Sequence, residues 1–167
     1  MIIIGLGSNL PGNGAAPPAE TLKLALGRLQ DSGVEVVAVS PFYKSEPVPK
    51  SGQPWFANAV AQIETKLGPA DLLARLHEVE EAFGRTRRTR NEARILDLDL
   101  LDYRGKVTPN PGAGPVLPHP RMQQRRFVLK PLADLAPDWR HPVLGKSAKE
   151  LLEEVPEEHQ IVLLQAN

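Results

Sequence analysis

Two aspartates, Asp97 and Asp99, interrupt an otherwise apolar stretch that runs from Ile95 to Leu101. Because its seven residues include no Gly or Pro and are mostly aliphatic, the stretch predicts a central β-strand, on which side chains two residues apart share a face. Two carboxylates beside a core repel each other and are costly to desolvate. A divalent cation relieves both costs, and oxygen ligands favour Mg²⁺, which binds one or two carboxylates together with substrate phosphates. The alternative is a half-exposed strand whose outer face is simply acidic.

An arginine-rich segment lies directly before the aspartates. Residues 84–94 contain five arginines and no lysine. The guanidinium group is planar, always charged and suited to phosphate oxygens, so a polyanion can bind between this segment and a metal held by the aspartates. Placed directly beside the aspartates, the arginines predict one half of a metal–triphosphate site, with the aspartates as the other half. Taken alone, the arginines would instead indicate a solvated basic loop that touches nucleic acid.

An aromatic ring and an amide are the next candidates. The segment 55–63 predicts a strand on which Phe56 and Asn58 point to one face. Core packing is the simpler interpretation of Phe56. An inward-facing Asn58 needs hydrogen-bond partners, and its amide offers both a donor and an acceptor to a heterocycle. The preceding Pro-broken loop, 42–54, is long for a hairpin connection, and such loops often carry function.

The C-terminal third holds a second cluster of candidates. His119 stands between two prolines, which excludes a helix there and restricts the backbone around the histidine; a purely structural histidine is the alternative. Arg121, Arg125 and Arg126 then precede a further aromatic residue, Phe127. Beyond them the sequence predicts short helices at 132–135 and 148–155 and a closing strand at 160–164.

The elements that position these candidates follow a regular order. The predicted strands are 2–7, 34–39, 55–63 and 95–101, and the predicted helices begin at Pro18 and Pro69, the second ending before Gly84. This is the ferredoxin-like βαββαβ order of the α+β class, with a mostly antiparallel sheet. The C-terminal strands and helices are expected on the other face, giving a three-layer α-β-α arrangement in one domain over residues 1–167.

Composition excludes several classes of protein. Twenty Lys and Arg residues balance twenty Asp and Glu residues, so no net field draws the chain to nucleic acid or an anionic membrane. The absence of Cys excludes disulfides and thiolate ligands and suits the reducing cytoplasm. The opening residues do not resemble a signal peptide, and no apolar run has the length of a membrane span. We therefore expect a cytoplasmic protein with neither a nucleic-acid nor a membrane partner, and we also expect a monomer.

Six stretches that span most of the chain carry a further signal. They are Gly7-Ser8-Asn9-Leu10, Phe42-Tyr43 followed by Pro47, Phe56-Ala57-Asn58-Ala59, Glu80 followed by Gly84-Arg85, Arg94-Ile95-Leu96-Asp97-Leu98-Asp99, and Leu117-Pro118-His119-Pro120 with Arg125-Arg126-Phe127-Val128-Leu129. In this order they resemble the 6-hydroxymethyl-7,8-dihydropterin pyrophosphokinases of folate biosynthesis. The resemblance implies transfer of the β,γ-pyrophosphoryl unit of ATP to the pterin hydroxymethyl group, with release of AMP. The alternative is a ferredoxin-like RNA-binding module that uses the arginine-rich segment and exposed aromatics.

The resemblance also implies roles in binding the nucleotide. Asp97 and Asp99 would hold two Mg²⁺ ions that bridge the phosphates of ATP, the co-substrate. The transferring group would be gripped by Arg85 and Arg94. Further nucleotide contacts would come from Arg87, Arg88, His119 and Arg125, and the nucleotide wall from Leu73, His77 and Leu100. Relatives often carry Trp-Gly-Pro directly before the position of Arg94, whereas this chain has Asn91-Glu92-Ala93. We expect this difference to change how the segment closes over its ligands.

The second substrate has its own implied contacts. The pterin would stack between Phe56 and Phe127, and its edge would be read by Asn58 and by the backbone near Ser45 and Val48. Asp97 also belongs to the implied pterin site. Either Asp97 or a metal-bound water is a candidate to take the proton of the attacking hydroxyl.

Overall fold

The computed structural model describes residues 1–10, 16–47, 52–84, 95–109, 112, 114–157 and 160–164. Six strands and four α-helices lie within these residues. The strands are β1 (Ile2–Ser8), β2 (Glu35–Val39), β3 (Tyr43–Ser45), β4 (Phe56–Glu64), β5 (Asp97–Tyr103) and β6 (Ile161–Leu163). The helices are α1 (Pro18–Asp31), α2 (Pro69–Ala82), α3 (Arg126–Leu135) and α4 (Ala148–Glu154). The predicted combination of helices with an antiparallel sheet is confirmed.

The strands form one sheet in the order β5-β1-β4-β3-β6, and β2 pairs with the other half of β4. Each pair of neighbours is antiparallel. The predicted loop 42–54 is wrong at its start, because residues 43–45 form β3, which pairs with both β4 and β6. The predicted central position of the aspartate strand is also wrong, because β5 lies at one edge of the sheet.

A buried glutamate and two covering helices account for the properties of the edge strand β5. Glu80 on α2 is fully buried, and its Oε2 accepts a hydrogen bond from the backbone N–H of Leu98 at 3.0 Å. At this one position the carboxylate accepts a bond that a neighbouring strand would otherwise accept, so that backbone donor of the edge strand is not left unpaired. Leu96, Leu98 and Leu100 are buried because their face of β5 packs in the core with residues of α1 and α2, which gives this edge strand the apolar pattern of an interior one.

Each face of the sheet contributes to a hydrophobic core. One core contains residues of β1, β5, α1 and α2, among them Ile2, Ile4, Leu22, Leu76 and Leu98. The other contains residues of β1, β4, β5, α3 and α4, among them Ile3, Val60, Leu101, Leu132 and Leu151. Because side chains alternate along a strand, Asp97 and Asp99 lie on the same face as Leu101, toward α3.

Helix α3 begins at Arg126, whereas the sequence predicts a short helix from Leu132. The prediction starts too late because Pro131, which lacks an N–H, suggests a boundary. In the structure the helix continues through Pro131, and Val128, Leu129 and Leu132 bury one face of it against the sheet. The longer helix matters for the site because it brings Phe127 into a fixed first turn.

A buried polar cluster fastens the chain after α3 to the end of β5. Trp139 donates its indole N–H to Asp102 Oδ2 at 2.8 Å, and Asp102 Oδ1 accepts the backbone N–H of Gly105 at 3.0 Å. His141 packs edge-on against the Trp139 ring. Its Nδ1 accepts the backbone N–H groups of Val143 and Leu144, each at 3.1 Å. This arrangement requires a neutral imidazole, since a protonated Nδ1 can accept neither bond.

Acid is expected to destabilise the protein through His141. Burial lowers the pKa of His141 below the ordinary histidine value, and nearby Asp102 only partly opposes that shift. Below about pH 6.5 the unfolded chain therefore binds more protons at this residue than the folded one, so the free energy of unfolding falls as the pH is lowered. His141→Asn retains an acceptor near the position of Nδ1 but does not titrate. Urea denaturation from pH 8 to pH 5 should show a smaller pH-dependent loss for this variant; equal slopes for the two proteins would contradict the prediction.

No helix in the described part of the chain is long and apolar enough to cross a membrane.

Candidate active site

Strand register places an amide, a glycine and a carboxylate in one row across the sheet. Gly7 on β1 pairs with Asn58 on one side and with Asp97 on the other. The side chains of Asn58 and Asp97 project from the same face, and Gly7 leaves the space between them without a side chain. A Cβ on Gly7 would lie 3.3 Å from Asn58 Nδ2 and 3.7 Å from the Phe56 ring. The row therefore has a glycine between an amide on one side and a carboxylate on the other, and is named the Gly7 slot.

The second carboxylate lies one row further along β5. Asp99 pairs with Gly5, so a second glycine lies beside it. The nearest Asp99 oxygen is 3.8 Å from Arg125 Nη1, and about a third of the side chain is exposed. The predicted common face of Asp97 and Asp99 agrees with the alternating burial along β5, where Leu98 and Leu100 are buried and both aspartates are partly open. The two carboxylates offer oxygen ligands to a metal on an open face. The nearby Arg125 guanidinium suits an anionic substrate of such a metal.

His119 lies next to this acid pair. Its backbone N–H donates to the Leu101 carbonyl at 2.8 Å, and its Nδ1 accepts the backbone N–H of Arg121 at 3.1 Å. Burial, with the charges of Arg125 and Arg121, lowers the pKa of His119 to about 4, although Asp97 opposes the shift. The imidazole is thus neutral at physiological pH, with its proton on Nε2, and can donate one hydrogen bond to an anion.

The Phe56 and Asn58 side chains share their face with Ser45. Both Asn58 and Ser45 are almost fully buried, and the Ser45 hydroxyl donates a hydrogen bond to Asn58 Oδ1. Phe56 is half-buried at the start of β4. Phe127 lies in the first turn of α3, where the Arg125 guanidinium carbon is 5.5 Å from the centre of its ring. Arg125 therefore lies beside Asp99, one of the two candidate metal ligands, and beside Phe127, one of the two candidate aromatic residues.

A buried tyrosine ties α3 to the strand that carries Ser45. Tyr43 on β3 donates its hydroxyl to Asp134 Oδ2 on α3. Burial, together with the hydrogen bond and charge of Asp134, raises the pKa of Tyr43 to about 12. The tyrosine consequently stays protonated and continues to donate throughout the physiological range. Since α3 carries Phe127 and β3 carries Ser45, this bond fixes the distance between two sides of the site.

Removing the Tyr43 hydroxyl is expected to destabilise the fold by about 1.5–3 kcal/mol, the usual contribution of a hydrogen bond to a charged group. Tyr43→Phe and Asp134→Ala should each lower the urea midpoint, and the double variant should lose less than the sum of the two. Lys130→Ala is the control, because the Lys130–Asp134 ion pair, at 3.4 Å, is exposed and contributes little. Fully additive losses would show that the two groups do not interact.

The remaining predicted nucleotide residues have separate positions. Leu73 and His77 are half-buried on α2, and His77 Nε2 is 4.0 Å from Glu80 Oε1. Leu100 is 4% exposed and packs in the core beneath α1 and α2, so little of it is open to a ligand. The candidates Val48, Arg85, Arg87, Arg88 and Arg94 lie outside the described residues.

Sequence reasoning assigns no role to three residues that shape this site. Gly7 forms its floor, Glu80 holds β5 from behind, and Tyr43 anchors α3. For Gly7 the sequence does contain a signal, the alternating glycines of Ile4-Gly5-Leu6-Gly7. Glycine inside a strand often marks a position that a ligand or another backbone approaches closely. Within the described ranges no cluster of three or more His, Cys, Asp or Glu side chains is arranged to hold a metal. Any metal here would depend on ligands beyond the two aspartates, such as substrate oxygens.

Comparison with known proteins gives a consistent result. A model of the family described as 7,8-dihydro-6-hydroxymethylpterin-pyrophosphokinase (HPPK) matches residues 3–137. The chain is 43% identical over 158 residues to a Pseudomonas aeruginosa protein named 2-amino-4-hydroxy-6-hydroxymethyldihydropteridine pyrophosphokinase, covering 93% of this chain and 91% of the relative. It is 42% identical over 136 residues to the Haemophilus influenzae protein of the same name, covering 81% of each.

Similarity also extends to solved structures. The crystal structure of wild-type Plasmodium falciparum HPPK-DHPS with STZ-DHP superposes with a TM-score of 0.70 at 14% identity, covering 92% of this chain and 42% of that one. This chain therefore spans less than half of the solved chain. At such low identity the similarity shows a shared fold and nothing more.

Proposed function

The chain belongs to the 7,8-dihydro-6-hydroxymethylpterin-pyrophosphokinase family, and on that premise we propose that it transfers pyrophosphate from ATP to the hydroxymethyl group of 6-hydroxymethyl-7,8-dihydropterin and releases AMP, a step of folate synthesis. The observation that carries this proposal is the row across β4, β1 and β5. There an amide suited to a heterocycle faces a carboxylate suited to a metal–phosphate group, with only Gly7 between them. A site with both recognition groups on one face can bring two such substrates together.

The direct test is to mix the protein with Mg²⁺, ATP and 6-hydroxymethyl-7,8-dihydropterin and to separate the products. AMP and a pterin diphosphate should accumulate in equal amounts. Formation of ADP instead would indicate transfer of a single phosphoryl group, and ATP hydrolysis that does not depend on the pterin would contradict the proposed acceptor. Neither the site nor the comparisons favour the RNA-binding alternative.

The acid pair is proposed to hold magnesium. Asp97 and Asp99 supply only oxygen donors, and Arg125 beside Asp99 leaves a cation suited to phosphate at the same place. Two Mg²⁺ ions would be held there together with ATP. When bound, they neutralise charge on the transferring group and orient it. Asp97, which also borders the Gly7 slot, is the proposed acceptor of the hydroxyl proton, either directly or through water.

Nucleotide binding is proposed to extend to both sides of β5. On the open face, Arg125 and the neutral His119 would contact phosphate oxygens as donors. On the side of α2, Leu73, His77 and the backbone of Leu100 would line the base and ribose. The arginine-rich segment would add Arg85, Arg87, Arg88 and Arg94, of which Arg85 and Arg94 are proposed to grip the group in transfer.

The pterin is proposed to bind over the Gly7 slot. Phe56 and Phe127 would stack on its two faces, because aromatic rings suit a flat bicyclic ligand. Asn58 would read its lactam edge, and backbone groups near Ser45 and Val48 would complete the pairing. Asp97 would lie beside the hydroxymethyl group, where the acid pair and the pterin site meet.

Arg94→Ala is expected to slow turnover far more than it weakens ATP binding. A guanidinium that contacts the transferring group gains most in the transition state, when charge moves onto its oxygens. We expect kcat to fall roughly 100-fold or more, the usual effect of removing one such donor, with a much smaller change in the Kd of ATP. Single-turnover kinetics and equilibrium titration would separate the two. Equal losses in affinity and rate would contradict this role.

Finer features of the fold and its setting are also proposed. The strand order, with α1 and α2 on one face and α3 and α4 on the other, supports a ferredoxin-like βαββαβ core in a three-layer α-β-α arrangement. One domain, a monomeric state and a cytoplasmic location remain predictions from the sequence. Gel filtration with light scattering would test the oligomeric state.

A further inference from the structure

The Ser45–Asn58 hydrogen bond has a consequence for substrate specificity. We propose that the Ser45 hydroxyl fixes which end of the Asn58 amide faces the ligand, and that it thereby makes the site selective for a lactam edge over a diaminopyrimidine edge. The inference rests on the proposed pterin function and concerns the orientation of one side chain within that site. Ser45 is a positioning residue here, because it acts through Asn58.

The geometry gives the amide a defined direction. Ser45 is 3% exposed and Asn58 is 5% exposed, so neither side chain has free access to water. The Ser45 hydroxyl donates to Asn58 Oδ1, which turns the carbonyl end of the amide toward β3. The Nδ2 end lies over Gly7, only 3.3 Å from where a Cβ would stand. The amino end therefore points along the row toward Asp97.

A rotated Asn58 amide would leave the buried proton of the Ser45 hydroxyl without an acceptor. If Oδ1 and Nδ2 exchanged places, the Ser45 oxygen could accept from Nδ2, but the hydroxyl proton would then need another acceptor. Among the residues that the structure describes, Asn58 Oδ1 is the one hydrogen-bond partner of the Ser45 side chain. Leaving a buried donor unsatisfied is unfavourable by an amount that corresponds to roughly a tenfold or greater population difference. The backbone cannot relieve the mismatch, because Asn58 is paired with β1 and β3 on both sides.

The fixed Asn58 amide can pair with the edge of a lactam but not with the edge of a 2,4-diaminopteridine. A lactam presents a ring N–H donor beside a carbonyl acceptor. The second lone pair of Asn58 Oδ1 can accept the N–H, and Nδ2 can donate to the carbonyl. A 2,4-diaminopteridine presents the reverse pattern, an acceptor ring nitrogen beside an amino donor, and can pair only with the rotated amide. Aromatic stacking treats the two rings alike, so the discrimination depends on the amide.

The test is a ratio of two affinities. The Kd values of 6-hydroxymethylpterin and 2,4-diamino-6-hydroxymethylpteridine are measured by calorimetry at pH 8, with Mg²⁺ and a non-hydrolysable ATP analogue present. The unmodified protein should strongly prefer the lactam. Ser45→Ala removes the donor, so the ratio of the two affinities should fall by about tenfold or more. Ser45→Thr keeps the hydroxyl and should restore the preference, and Ser32→Ala is a matched serine control at a distant helix end.

The outcomes separate this inference from the proposed function. An unmodified protein that binds neither pteridine contradicts the proposed function itself. An unmodified protein that prefers the lactam, together with a Ser45→Ala variant that has the same preference, overturns the role of Ser45 alone. Circular dichroism checks the fold of each variant. If Ser45→Ala does not fold, Ser45→Cys takes its place, since a thiol of similar size is a weak donor and should also reduce the ratio.

Discussion

Asp97→Ala and Asp99→Ala are each expected to abolish pyrophosphoryl transfer while the protein remains folded. The two carboxylates share an open face of β5, and a metal held there would neutralise charge on the transferring group, an effect of several kcal/mol. Its loss corresponds to a fall in AMP formation on the order of 10³-fold or more. Removing one acid also relieves repulsion between the two, and the half-exposed Arg125–Asp99 contact adds little. The free energy of unfolding should therefore change by less than about 1 kcal/mol.

Asp138→Ala is the control for this pair, because Asp138 is an exposed aspartate outside the site. It should match the unmodified protein in both rate and stability. AMP formation is measured with saturating substrates, and stability by urea denaturation without metal. Either aspartate variant with near-normal AMP formation would exclude its residue as a metal ligand. A large loss of stability would instead indicate a structural role.

Gly7→Val is expected to abolish pterin binding and to leave ATP binding largely intact. The first added carbon would already lie 3.3 Å from Asn58 Nδ2, and the two methyl groups beyond it would fill the slot. Valine suits a β-strand, so the backbone of β1 should accept it. We expect the Kd of the pterin to rise at least about 100-fold, since steric overlap in a closely packed site is costly. Gly7→Ala should give an intermediate effect.

Gly5→Ala is the matched control on the same face of β1. A Cβ at Gly5 would meet the Leu101 side chain at 3.4–3.8 Å, which is ordinary contact in the core. The Kd values of the pterin and of ATP are measured separately for each variant. If Gly7→Val bound the pterin normally, the ligand could not lie over the row of Asn58, Gly7 and Asp97, and the proposed site would be misplaced.

Features of the site that depend on local periodicity could be predicted from the sequence. The twofold alternation along a strand places Asp97 with Asp99 and Phe56 with Asn58, whatever the neighbouring strands are. The same holds for His119, whose flanking prolines exclude a helix. These pairings needed no knowledge of which strands are adjacent.

Features that depend on distant pairing could not be predicted. The row of Asn58, Gly7 and Asp97 requires the register of β1 with two other strands. The sequence does not indicate the edge position of β5, because α1 and α2 cover one of its faces and so give it the apolar residues of an interior strand. The Tyr43–Asp134 bond joins residues 91 positions apart in the chain, and no local pattern indicates it. The roles of the arginines in 85–94 stay predictions, because those residues lie outside the described part of the chain.

The central claim is that the carboxylates of β5 hold the metal of a metal–nucleotide complex. Its most direct test is Mn²⁺ binding, followed by electron paramagnetic resonance with a non-hydrolysable ATP analogue in place of ATP. The unmodified protein should bind Mn²⁺ in a nucleotide-dependent manner, and the Asp97→Ala/Asp99→Ala double variant should lose that binding while Asp138→Ala retains it. Undiminished nucleotide-dependent Mn²⁺ binding by the double variant would contradict the account.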